Sequence, residues 1–123
     1  MSILTYVSGE IDLALVSNEN RDQIKRFLQA FYGLEPAEEI FRGDYISFDD
    51  EWSNHEETDR FLHFLLMKII PLLNEKTVAR LSCEGETHKD YWGIIIKKGK
   101  LYIQKYKLVP AGDKKEFGYS PIR

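Results

Sequence analysis

Between positions 55 and 73 the chain carries Phe61, Leu62, Phe64, Leu65, Leu66, Ile69, Ile70, Leu72 and Leu73, an apolar stripe too wide for a helix lying on a surface. Such a helix is stable only when other elements cover most of its circumference, so it is read as the central core helix. Asn54 followed by Glu57 has the spacing of an Asx cap with an acid at the third helical position, which sets the start near residue 55. Pro71 lacks a backbone donor and crowds the preceding turn, so a kink or stop is expected close to Ile70. The run Phe64-Leu65-Leu66-Met67 ends at Lys68, far short of the roughly 20 apolar residues of a membrane span, and no membrane association is expected.

The elements that would cover this helix follow from periodicity. Residues 4–16 put Ile11, Leu13 and Leu15 on one side of an extended segment, alternating with Glu10, Asp12 and Ala14, which describes a half-buried strand. Gly9 within it marks a bulge or a close backbone approach. Ser17-Asn18-Glu19-Asn20 supplies cap oxygens and an acidic first turn. Ile24, Phe27, Leu28 and Phe31 then recur on one face and predict a helix over 19–32, stopped by Gly33. Residues 34–43 lack a period and read as a connection or one extra helical turn. Tyr45-Ile46-Ser47-Phe48 reads as a short strand that ends where Asp49-Asp50-Glu51 begin, because strands disfavour acids.

Strands at 77–83, 91–96 and 101–106 form a meander, with Lys97-Lys98-Gly99-Lys100 as a tight turn. The predicted class is α+β, in the order β-α-β-α-β-β-β, a mainly antiparallel sheet with two helices packed on one face. A length of 123 residues suits one core, and a 43% hydrophobic share is enough to fill it. One domain is expected over 1–109, with 110–123 a loosely ordered tail in which only Phe117 or Tyr119 would dock.

The first residues lack the basic and apolar regions of a secretory signal, and a lone cysteine, Cys83, cannot form an internal disulfide, so a reducing, cytoplasmic setting is expected. Cys83 has no His or basic neighbour in sequence to favour a thiolate and reads as buried and inert. The net charge of −3 conceals segregation. Residues 35–59 hold ten acids against Arg42 alone, a net of −9, whereas 97–123 hold seven lysines and Arg123 against Asp113 and Glu116, a net of +6.

No phosphate-binding glycine loop, dinucleotide fingerprint or nucleophile elbow is present, so nucleotide hydrolysis and those hydrolase chemistries lack support and no cofactor is expected. Asp49, Asp50, Glu51, Glu56, Glu57 and Asp59 do not follow the order of a calcium loop. They read either as a solvated loop and helix start or as a negative lip that selects a basic surface on a protein partner. Trp52 among these acids has the character of an apolar anchor inside a polar rim, or of simple packing; Trp92 reads as core. His55, Asp59 and His63 fall at i, i+4 and i+8, where an unbroken helix would align them for zinc or a proton relay, or leave them as exposed polarity. Lys97, Lys98, Lys100, Lys105 and Lys107 with Tyr102 and Tyr106 could hold phosphate and base, or simply guard a sheet edge against pairing.

Three stretches carry a resemblance. Thr5-Tyr6-Val7-Ser8-Gly9-Glu10-Ile11, Cys83-Glu84-Gly85-Glu86 before Tyr91-Trp92-Gly93, and the hairpin around Gly99 resemble a group of small, uncharacterised bacterial and phage proteins classed as a domain of unknown function. The resemblance covers about a third of the chain and implies one intact domain closing in a β-meander. It brings no activity, and Ala14-Leu15-Val16 stands where such relatives often continue with prolines.

These readings converge on a non-enzymatic binding or inhibitor protein, of the immunity or phage counter-defence type, that meets a basic protein partner through Asp49, Asp50, Glu51, Trp52, Glu56, Glu57 and Asp59. The alternative is a small-ligand or nucleotide-binding protein using Lys97, Lys98, Lys100 and Tyr102. A metal-dependent enzyme built on His55, Asp59 and His63 is a third class.

Overall fold

The computed structural model describes residues 4–85, 91–111 and 116–121, with the backbone alone from residue 107 onward. The elements are β1 (Thr5–Asp12), α1 (Asn18–Tyr32), α2 (Leu34–Ile40), β2 (Tyr45–Trp52), α3 (His55–Phe64), β3 (Ala79–Gly85), β4 (Tyr91–Lys97), β5 (Lys100–Ala111) and β6 (Glu116–Pro121). The strands form one sheet in the order β2-β1-β3-β4-β5-β6, and every neighbouring pair is antiparallel. The class is α+β with an antiparallel sheet, as the sequence predicts. The element order differs from prediction at α2 and at β6, which pairs with β5 from within the segment read as a tail.

Strand alternation assigns the faces. In β3 every second residue is buried, Ala79, Leu81 and Cys83, while Arg80, Ser82 and Glu84 are exposed. β1 repeats this with Val7 and Ile11 inward and Tyr6, Ser8, Glu10 and Asp12 outward. The helices cover the inward face, where Ile24, Leu28, Phe61, Leu65 and Ile69 join Phe48, Leu81, Ile94 and Ile96 in one core. Burying one such side chain contributes roughly 1.5–3 kcal/mol. The outward face carries no helix among the described residues.

Local chemistry explains the boundaries. Ser17 caps α1 by accepting from the Asn20 amide at 3.2 Å. Gly33, at φ +101, both ends α1 and turns the chain into α2, whose Ala37 and Ile40 lie three apart and face the core. β1 stops at Asp12, not residue 16: Asp12 accepts from the Ala14 amide, Val16 bonds back to Leu13, and Leu15 is 56% exposed. Arg21 then locks this turn, donating to the carbonyls of Leu13 (2.7 Å), Val16 (3.1 Å) and Gly43 (3.4 Å).

α3 changes form before Pro71. From Leu65–Ile69 the helix widens to a π turn, closed by the Ile70 amide on the Leu65 carbonyl, and it finishes as a 3₁₀ turn over Ile70–Leu72. The predicted disturbance at Ile70 is thus spread over the preceding turn, because a proline ring excludes the regular carbonyl position four residues back. Gly9 sits at φ +147 with the ladders on both sides unbroken, so it serves a close approach and not a bulge.

Candidate functional site

β2 is the largest departure from the sequence reading. The strand does not end at Phe48 but runs through Asp49, Asp50 and Glu51 to Trp52, paired with β1 over its whole length. The register shows how the acids are tolerated. Across the β1–β2 pair Asp49 faces Ser8, Glu51 faces Tyr6, Glu10 faces Ser47 and Asp12 faces Tyr45, while Asp50 faces Val7 and Glu10 also faces Arg80 on β3, so no carboxylate of this pair directly opposes another acid. Like charges directly opposite would destabilise the pair.

The same alternation splits the predicted cluster. Asp49 and Glu51 are exposed on the open face, where Glu10 and Asp12 of β1 extend them into one acidic end. Asp50 and Trp52 point to the helix side. The Tyr32 hydroxyl donates to Asp50 Oδ2 at 2.6 Å. Burial raises the Asp50 carboxyl above the ordinary aspartate range and Asp49 adds to the rise, while the bond from Tyr32 opposes it. Burial, and then the charge of Asp50, push the Tyr32 phenol far above its usual value, so it stays a donor.

Trp52, expected as an anchor in a polar rim, packs inward among Phe61 (ring centroids 5.5 Å), Phe31 (6.0 Å) and Tyr32 (6.1 Å). Its indole N–H is buried without a hydrogen-bond partner. The aromatic cluster therefore accounts for Trp52.

At the start of α3 the acids serve the helix. Asn54 Oδ1 accepts from the Glu57 amide at 2.8 Å, and the Glu57 carboxylate accepts from the Ser53 amide at 2.7 Å and the Ser53 hydroxyl at 2.8 Å. The amide bond first, then the hydroxyl bond, hold the Glu57 carboxyl below its ordinary range. Glu56 pairs with Arg60 at 3.9 Å, the one ion pair among the described residues, and Asp59 is exposed. His55, Asp59 and His63 are exposed on α3, but eight helical residues rise about 12 Å, and the described residues contain no group of three that could hold a metal. Cys83 is buried, which pushes its thiol up to about 12 and keeps it protonated.

The opposite end of the open face is basic and aromatic. Lys98 and Gly99, both at positive φ, form the two-residue turn between β4 and β5, with Lys97 facing Lys100. Lys97 Nζ lies 5.5 Å from the centroid of the exposed Tyr102 ring. Lys105 faces Trp92 on the other side of the sheet, and the side chain of Lys107 lies outside the described residues. Beside this region a shallow hollow of about 400 Å³ lies over Arg80, Ser82, Tyr91, Gly93 and Tyr106.

No family model, curated protein or solved structure matches this chain. Function is therefore read from geometry alone. The sequence reading picked out Asp49 and Glu51 but missed Glu10 and Asp12, whose signal is their alternation with buried Ile11 in a strand that pairs with β2.

Proposed function

We propose that this chain is a non-enzymatic binding protein that holds a basic macromolecular partner against Asp49, Glu51, Glu10 and Asp12. One observation carries the reading: these carboxylates stand exposed on the open face of the sheet, and although Arg80 on β3 is the cross-strand neighbour of Glu10, no cation of the described residues lies within ion-pair distance of them. A partner's lysines and arginines would meet charges already held in place by a sheet, which favours fast and selective association. Covering a partner's basic surface is enough for an inhibitor or immunity role, and a cytoplasmic setting fits the buried thiol of Cys83.

Charge reversal tests it. The Asp49→Lys/Glu51→Lys double variant, shown to be folded by circular dichroism, is compared with the native chain for partners retained from the host extract. Loss of a partner that Lys97→Glu/Lys100→Glu still retains supports the acidic end; retention by all three chains removes it. A second reading, a small planar ligand, is favoured by the hollow beside Tyr106 and by the cations of the hairpin. A nucleotide that raises the melting temperature of the native chain but not of Arg80→Glu would support that reading.

A further inference from the structure

β2 is the first strand of the sheet order, so one of its edges faces away from the sheet. The direction of its backbone groups follows from two bonds. The Leu13 amide donates to the Asp44 carbonyl at 2.8 Å, in step with the β1–β2 register, so Ile46, Phe48, Asp50 and Trp52 exchange bonds with β1. Tyr45, Ser47, Asp49, Glu51 and Ser53 consequently turn their amides and carbonyls outward. At one end the Arg42 amide meets the Tyr45 carbonyl at 2.9 Å, next to the bridge between Phe41 and Ile46. At the other end Glu57 covers the Ser53 amide. The same Phe41–Ile46 bridge directs the Ser47 amide to the Ile40 carbonyl, so between these two closures the amides of Asp49 and Glu51 and the carbonyls of Ser47, Asp49 and Glu51 have no partner among the described residues.

An open edge of this kind is a template for an added strand. Its side chains select the strand. A second copy pairing through the same edge would bring Asp49 and Glu51 of both molecules together, which like-charge repulsion opposes. A segment with lysine or arginine at alternate positions would instead place each cation across from Asp49 and Glu51, at the roughly 5 Å separation of directly opposed residues. We infer that β2 accepts an extended, antiparallel segment of the partner, with basic residues at every second position, as a seventh strand. This rests on the proposed binding role of the acidic end and specifies how that end holds its partner.

A capped synthetic peptide of alternating lysine and threonine is the probe, followed by amide hydrogen exchange and NMR titration of the whole chain. Binding should slow exchange at the amides of Asp49 and Glu51. N-methylating the peptide's lysines keeps the charge but removes the donors facing β2, and should weaken binding about tenfold.

Failure of the peptide to bind, equal binding of its N-methylated form, or binding without protection of these amides would each overturn strand addition. So would concentration-dependent protection of the same amides with no peptide present, which would mean that a second copy fills the edge. The binding role itself stands or falls separately, on whether Asp49→Lys/Glu51→Lys loses the native partner.

Discussion

Gly9 sits on β1 directly opposite Leu81 of β3. A Cβ built there would come within 2.8 Å of Leu81 Cδ2, 2.9 Å of the Arg80 carbonyl oxygen and 3.0 Å of Leu81 Cα, on a backbone at φ +147 that side chains rarely adopt. Gly9→Ala should therefore cost roughly 2–4 kcal/mol through strain and overpacking, read as a lower urea midpoint; an unchanged midpoint would show that the strands can separate freely. Asp50 makes a different prediction. Its folded carboxyl binds a proton more tightly than the ordinary value of 3.8, so this group favours folding most at low pH and progressively less as pH rises from 3.8 through its raised value. Asp50→Asn should gain stability relative to the native chain over that window and hold a constant difference above it. Tyr32→Phe should steepen the native decline, because it deletes the bond that opposes the rise. Thermal melts across pH check both, and parallel curves for all three chains would deny Asp50 this role.

At the scale of elements, the helix starts were legible because their signals are local: Ser17 and Asn54 cap the helices the sequence assigned to them. β2 was not legible past Phe48, because residue propensity judges Asp49 to Glu51 singly, whereas the strand is decided by Ser8 and Tyr6 opposite Asp49 and Glu51 and by the Tyr32 hydroxyl that meets the inward Asp50. The form of α3 was legible only in part. Pro71 announced a disturbance, but how far it spreads back depends on how Leu65 and Ile69 seat in the core. The β4–β5 turn was legible and can be improved. Lys98 holds φ +52 without being glycine, so Lys98→Asn should stabilise by about 0.5 kcal/mol, and Gly99→Ala, at φ +71, should cost about 1 kcal/mol, both by chemical denaturation. The opposite order of stabilities would mean that the turn is not of this two-residue type.

Across the whole molecule, the charge segregation visible along the chain becomes a gradient over one surface. The sheet order places β2 and β1, with Asp49, Glu51, Glu10 and Asp12, at one end of the open face, and Lys97 and Lys100 of the β4–β5 hairpin toward the other. The segregation was legible in the sequence, but which acids reach solvent was not: strand alternation turned Asp50 and Trp52 inward, and helix capping occupied Glu57. No helix among the described residues is long and apolar enough to cross a membrane.

Ionic strength addresses this surface directly, because exposed charges act over a Debye length of about 8 Å at physiological salt and less above it. The decisive measurement is the association rate of the captured partner with the native chain and with Asp49→Lys/Glu51→Lys, followed as salt rises. A carboxylate docking surface predicts a native rate that falls steeply with salt and a variant rate that is slow at low salt. Native and variant rates that coincide at every salt concentration would contradict it.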